Sequence, residues 1–189
     1  SFIWEMFVRV LPDIPEQSAF NKQAMSWKLM ALLPEMLQHD EFAMLRHYLN
    51  DDTDKRKLFQ LASRTADLYD QYLVYRSDWL IRWEAGELVE GLPEAQIWQA
   101  PLWKALVEHT ERLGQPKWHR ANLYDRFISI LENSAERPAR LPSRVFICGI
   151  SALPPVYLNA LKALGKHTDI HILFTNPCRH YWGDIQDPR

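Results

Sequence analysis

The chain has 189 residues, 47% of them hydrophobic and 24% charged, a composition that excludes intrinsic disorder and predicts a globular fold. The formal net charge is −2, which argues against a free-standing domain that binds nucleic acid through a general positive field. No run of about 18 apolar residues occurs, and Cys148 and Cys178 lie far apart, as in reduced cytosolic proteins rather than disulfide scaffolds. We therefore expect a cytoplasmic protein without membrane contact, and the start without Met suggests a piece of a longer chain.

Helical periodicity runs through the first two-thirds of the chain. The predicted helices cover residues 2–11, two or three segments within 21–50, a long segment that ends near Tyr75, and residues 95–113 and 119–131. Pro34 suits a first helical turn, and residues 51–54 (DDTD) supply N-cap candidates and first-turn acids for the long helix. We predict that this part of the chain is all-α.

The pattern changes after residues 136–143, a proline-containing segment that we interpret as a linker. Residues 144–150 and 170–174 are short apolar runs, and an amphipathic helix is predicted between them at 154–164. This order is typical of a right-handed βαβ unit whose parallel strands are buried on both faces. Because two strands do not make a stable sheet, the neighbouring strands should lie outside the chain. The predicted fold is mixed and mostly α, with a helical region at 1–138 and part of a parallel α/β domain at 139–189.

The sequence lacks the residues that ATP hydrolysis requires. A nucleotide-hydrolysing α/β domain places an acid after such a strand to hold Mg²⁺ and carries a Gly-rich loop with Lys for the phosphates. Here the strand is followed by Gly149, Ile150, Ser151 and Ala152, and neither GxxxxGKS nor GxxxxGKT occurs. The seven histidines are scattered without metal-ligand spacing, and we interpret them as surface or strand-end residues. We predict no catalytic residue, no metal site and no cofactor.

One face of the long helix is polar. Asp67, Asp70 and Gln71 lie on it, because residues three and four apart are neighbours on a helix surface. Two carboxylates in this arrangement are mildly destabilising unless something pairs with them; Arg64 lies close to them, and the same face offers no obvious Lys partner. The pattern therefore suits a ligand that supplies hydrogen-bond donors to this face.

The chain resembles the RecC family, the gamma subunits of the bacterial helicase-nuclease exodeoxyribonuclease V, in the strings FIWEMFVRVLP, DKRKLFQLASRTADLYDQYLVYR, APLWKALVEHT, LGQPKWHRANLYDRF and SRVFICGISALPPVYLNALKALGKH. The resemblance covers the whole chain and corresponds to an internal stretch near the family's N-terminus. It implies an inactive superfamily 1 helicase-like fold, in which an all-α insertion interrupts an α/β domain. It also implies a subunit that is not an enzyme by itself.

A role and partners are implied by the same resemblance. RecC subunits carry a tunnel in which the single strand delivered by the RecB motor is scanned for the Chi sequence during recombinational repair of double-strand breaks. The implied partners are RecB, RecD, and single-stranded and forked DNA. The family's Chi-reading wall corresponds here to Trp4, Asp67, Leu68, Asp70, Arg76 and Arg120, with Gln71 as a weaker addition.

These side chains have the chemistry to read a base. A carboxylate can accept the two adjacent N–H donors on the Watson–Crick edge of guanine, Arg can donate to O6 and N7, and an indole ring can stack. Trp4 and Leu68 suit a hydrophobic core equally well, since each falls on an apolar stripe. The alternative function is a purely architectural scaffold that contacts RecB, with Asp67 and Asp70 paired to protein arginines. An active ATPase or nuclease would need the missing acids and phosphate loop.

Overall fold

The computed structural model describes residues 2–50, 55–150 and 153–174. The elements formed there are α1 (Phe2–Val10), α2 (Lys22–Met36), α3 (Ala43–Tyr48), α4 (Arg56–Tyr75), α5 (Ser77–Glu84), α6 (Gln96–Arg112), α7 (Arg120–Asn133), β1 (Arg144–Cys148), α8 (Pro155–Leu164) and β2 (Asp169–Leu173), with a 3-10 helix at Asp40–Phe42 before α3. The prediction of a mostly helical chain that ends in a parallel βαβ segment is confirmed. Within these ranges, no helix has the length and apolar character that crossing a membrane requires.

Two helix starts that border the candidate site are set by side-chain caps. α2 begins where the side chain of Asn21 accepts a hydrogen bond from the backbone N–H of Ala24 at 2.9 Å. α7 begins after His119, whose ring accepts from the N–H of Asn122 while the Asn122 side chain accepts from the N–H of His119. The caps predicted for α4 at residues 51–54 lie outside the described residues.

Pro34 does not start a helix, contrary to the prediction. It lies in the last turn of α2, which continues to Met36. A proline inside a helix loses the hydrogen bond to the carbonyl four residues earlier. Burial of Leu29, Leu32 and Leu33 offsets this loss, because all three pack in the core along α2.

The buried side chains form two clusters. The first is formed mainly by helices α2, α3, α4, α5 and α6 and is centred on Tyr69, Trp83 and Trp103. The second joins α1, α7, β1 and α8, with Phe7 and Phe127 among its members. Two helices from the predicted region 1–138, α1 and α7, therefore pack with elements that follow residue 139. The division between 138 and 139 stays a prediction.

β1 and β2 are parallel and pair from Arg144 with Asp169 to Cys148 with Leu173. Burial alternates along β1, so that Val145 and Ile147 lie in the second cluster whereas Phe146 is exposed. The expectation that the strands are buried on both faces is therefore wrong for the described residues. The second cluster covers only one face, and on the other Phe146 stacks against His171 with ring centroids 4.7 Å apart.

Candidate nucleic-acid interface

An open cavity of about 440 Å³ lies where α1, α2, α4 and the start of α7 meet. Its lining consists of Trp4, Glu16, Gln17, Ser18, Phe20, Asn21, Lys22, Gln23, Asp70, Leu73 and Arg120. Trp4, Asp70 and Arg120 are sequence-predicted site residues, and they come together here from three different helices. The charged lining residues are two acids and two cations, Glu16, Asp70, Lys22 and Arg120. The cavity thus offers both acceptors and donors rather than a uniformly basic surface.

Asp70 and Arg120 are paired with each other. Arg120 Nη2 donates to the Asp70 carboxylate and, at 3.3 Å, to the backbone carbonyl of the same residue. Both side chains keep some exposure to solvent, and Arg120 is the more buried of the two. A ligand that enters the cavity therefore meets a carboxylate and a guanidinium that are already hydrogen-bonded to one another.

Asp67 pairs with Lys22, the first residue of α2. The pKa of the Lys22 ammonium is raised, first by its hydrogen bond to Asp67 and further by the charges of Asp67 and Asp70. Sequence reasoning missed Lys22 because it examined only the polar face of α4. No spacing within α4 indicates which residue of another helix will face Asp67.

Four predicted site residues lie outside the cavity lining: Asp67, Leu68, Gln71 and Arg76. Arg76 lies between α4 and α5, where it donates to both carboxylate oxygens of Asp78 at 3.1 and 2.9 Å. Its guanidinium carbon lies 3.8 Å from the ring centroid of Trp79. The hydrogen bond from Arg76 lowers the pKa of the Asp78 carboxyl. Gln71 is exposed, and Leu68 is half-buried and belongs to neither core cluster.

Trp4 belongs to the second core cluster and is only 6% exposed. Its indole N–H donates to the carbonyl of Pro15 at 3.0 Å, and its ring packs edge-on against Phe7 with centroids 6.1 Å apart. Most of the ring therefore contributes to the core, and only a small part of its surface borders the cavity.

A buried acid–histidine pair holds the start of α7, one residue before Arg120. His119 is fully buried, and its Nε2 lies 2.6 Å from Glu84 Oε1, which also accepts a hydrogen bond from the indole of Trp103 at 3.0 Å. Because His119 Nδ1 accepts from the N–H of Asn122 at 3.3 Å, Nε2 carries the proton and donates to Glu84. The interpretation of His119 as a surface or strand-end residue is wrong, since packing of α5, α6 and α7 encloses it.

Within the part of the chain that the structure describes, no three His, Cys, Asp or Glu side chains lie close enough together to hold a metal ion. Gly149 follows β1 with a positive φ of 73°, and neither it nor Ile150 supplies a carboxylate. Ser151, Ala152 and Cys178 lie outside the described residues.

The chain matches the family described as RecC, N-terminal domain, over residues 1–189. The RecBCD enzyme subunit RecC of Escherichia coli (strain K12) is 74% identical over 188 residues, which cover 100% of this chain and 17% of that protein. The subunit of the same name from Haemophilus influenzae is 42% identical over 209 residues, covering 100% of this chain and 19% of its own length. The one from Mycobacterium tuberculosis (strain H37Rv) is 29% identical over 175 residues, covering 88% and 15%. The chain thus spans less than a fifth of the length of these relatives, and because the family match extends over all of it, the chain belongs to the RecC family.

Proposed function

We propose that this chain is part of a non-catalytic, DNA-reading gamma subunit of a RecBCD helicase-nuclease (exodeoxyribonuclease V). In this role it lines the single-strand tunnel of an inactive helicase-like subunit and recognises Chi during the repair of double-strand breaks by homologous recombination. Its proposed partners are RecB, RecD, and single-stranded and forked DNA in the cytoplasm. Membership of the RecC family supports the proposal, since the relatives carry the name RecBCD enzyme subunit.

The observation that carries the proposal is the meeting of Trp4, Asp70 and Arg120 at one cavity. A surface that only grips DNA needs cations for the phosphates, whereas a surface that reads bases needs donors and acceptors placed for base edges. The balanced charge of the cavity and the net charge of −2 both favour reading over general binding.

The pairing of Asp70 with Arg120 suggests how a guanine is selected. Guanine can donate two adjacent N–H groups to the Asp70 carboxylate, and the released Arg120 can donate to O6 and N7 of a guanine. This exchange replaces one charge-assisted hydrogen-bonded pair with two others. A base without adjacent donors cannot replace Arg120 at the carboxylate, so the protein pair stays closed and that base is not selected.

We expect Asp67→Ala or Asp70→Ala in the assembled enzyme to impair the response to Chi while unwinding and general exonuclease activity stay largely intact. A lost bidentate contact is worth roughly 1 to 3 kcal/mol, which weakens recognition without unfolding the subunit. The measurement is the fraction of unwound strands cut at Chi, with Glu108→Ala, an exposed acid of α6, as the matched control. Loss of assembly with RecB together with all activities would instead identify a scaffold.

The second candidate function is this purely architectural scaffold. It is favoured by the finding that both carboxylates already have protein cations as partners, Lys22 for Asp67 and Arg120 for Asp70.

An exchange of the two charges distinguishes the two candidate functions. The double variant Asp70→Arg, Arg120→Asp keeps an ion pair but changes which group faces the base. If the combined variant restores Chi response along with assembly, pairing within the protein is sufficient and the scaffold is correct. If it restores assembly and unwinding but not Chi response, the DNA-reading role is correct.

A further inference from the structure

Three cavities adjoin one another on this molecule. The cavity at Asp70 shares Trp4 and Glu16 with a second cavity of about 720 Å³, and it shares Lys22 and Gln23 with a third of about 370 Å³. The shared residues place the three cavities in a row with the Asp70 cavity in the middle, and we call this row the trough. A compact ligand occupies a single cavity, whereas a trough of this kind suits an extended chain.

The third cavity is lined by aromatic and small polar side chains. Its lining is Lys22, Gln23, Ser26, Trp27, Phe59 and Ser63. Trp27 is 63% exposed and Phe59 is 49% exposed, although rings of this size are usually buried for most of their surface. Lys22 is the one charged residue among these lining positions, so a cation and two exposed aromatic residues share the cavity.

The third cavity lies along the contact between α2 and α4, here called the seam. The predicted DNA-reading acids Asp67 and Asp70 lie along the same seam. Lys22 meets Asp67, and Ser26 meets Ser63 with their hydroxyl oxygens 3.3 Å apart, so α2 and α4 run antiparallel along this seam. Phe59 precedes Asp67 by eight residues of α4, which corresponds to about 12 Å along the helix axis. Lys22 stands at the junction of the two cavities.

We propose that Trp27 and Phe59 form a stacking step for the bases of single-stranded DNA, next to the cavity that holds Asp70 and Arg120. The inference rests on the proposed function and extends its binding surface along the trough. Aromatic faces stack on any base, so this step holds the strand without selecting its sequence. Lys22 is placed to meet a phosphate as the strand passes from one cavity to the next. The occupant is DNA because the two aromatic rings adjoin the cavity with Asp70 and Arg120, and the cation Lys22 lines both cavities.

The test uses the full-length subunit assembled with its partner subunits, without ATP so that the strand does not move. Single strands that contain iodouracil are photo-cross-linked and the attachment sites are mapped by mass spectrometry. We expect cross-links at Trp27 or Phe59, and a loss of single-strand affinity of about 5- to 140-fold for Trp27→Ala or Phe59→Ala. Trp27→Phe should bind nearly as well as the natural protein, because it keeps an aromatic face. The control is Met44→Ala, since Met44 is also 63% exposed but lies outside the trough.

The outcomes separate this inference from the function on which it rests. Cross-links at the Asp70 cavity with none at Trp27 or Phe59, and unchanged affinity in both alanine variants, would overturn the stacking step alone. Absence of cross-links at both cavities would overturn the stacking step and the proposed function together. A third outcome is that the alanine variants assemble poorly but the complexes that do form bind the strand normally. This would show that the rings contact protein and that the stacking step is wrong.

Discussion

Asp67 and Asp70 lie three residues apart on α4, yet each has a cation from a different helix as its partner. Lys22 of α2 pairs with Asp67, and Arg120 of α7 pairs with Asp70. The two pairs relieve the repulsion that two neighbouring carboxylates on one helix face otherwise have. Any ligand that hydrogen-bonds to these carboxylates must displace Lys22 or Arg120, because the same oxygens already accept from those cations.

The Lys22–Asp67 pair should be visible in the titration of Lys22. Its pKa is raised mainly by the hydrogen bond to Asp67, so the pair contributes stability below the ordinary lysine pKa, and this contribution is lost as pH rises through the raised value. We expect Asp67→Asn to lower the pKa of Lys22, which then reacts with amine-labelling reagents at lower pH. Labelling of Lys22 is followed against pH in the full-length protein, with Lys162 as the internal reference. An unchanged labelling curve in Asp67→Asn would contradict the pairing.

At the scale of elements, the start of α7 decides where Arg120 stands. The N-cap residue His119 is enclosed by α5 and α6 through its hydrogen bond to Glu84, and Glu84 is further held by Trp103. A helix start exposed to solvent can fray, whereas this one is fixed by partly buried hydrogen bonds to α5 and within α7. Glu84 and His119 are therefore positioning residues for the Arg120–Asp70 pair.

We expect His119→Ala to destabilise the first turn of α7 by roughly 2 to 4 kcal/mol, because it removes the cap and leaves Glu84 without one of its donors. His119→Asn should lose less, since an Asn side chain can still accept from the N–H of Asn122. Hydrogen exchange in the full-length protein, read at the start of α7, measures the local opening. Asp125→Ala, an exposed position of the same helix, is the control. Equal exchange in His119→Ala and the control would rule out the positioning role.

At the scale of the whole molecule, the two core clusters meet through α7, which contributes residues to both. α7 packs with α1 and α8, and it also contacts α4 and α5. The sheet that ends the described chain has two strands and an open face, with Phe146, Leu173 and Phe174 exposed. Such a sheet has unpaired edges and an uncovered apolar face.

We expect residues 1–189, produced alone, to be marginally stable and prone to aggregation, because no element among the described residues covers the open face of the sheet. Binding of a hydrophobic dye and the concentration dependence of the melt measure this. Phe146→Ser should reduce dye binding, since Phe146 lies on the open face. A monomer with a sharp cooperative melt and no dye binding would show that the chain is complete as a folding unit.

Local patterns in the sequence determined several elements to within a few residues. The helix predicted at 119–131 is α7 at Arg120–Asn133, and the strand predicted at 144–150 is β1 at Arg144–Cys148. Helix periodicity and short apolar runs are properties of neighbouring residues, so a sequence contains them in full. Likewise, the strings shared with the RecC family indicated the family, which the match over residues 1–189 bears out.

Only the tertiary structure decided which of these residues meet. Trp4 and Leu68 both lie on apolar stripes in the sequence, yet packing places Trp4 in the core and leaves Leu68 outside both clusters. The pairing of Lys22 with Asp67, the burial of His119 against Glu84, and the trough that leads to Trp27 and Phe59 depend on how separate helices pack. Spacing along one helix fixes which residues share its face, but the neighbour that faces them is set by the angle and register between helices, and these follow from the packing of the whole core.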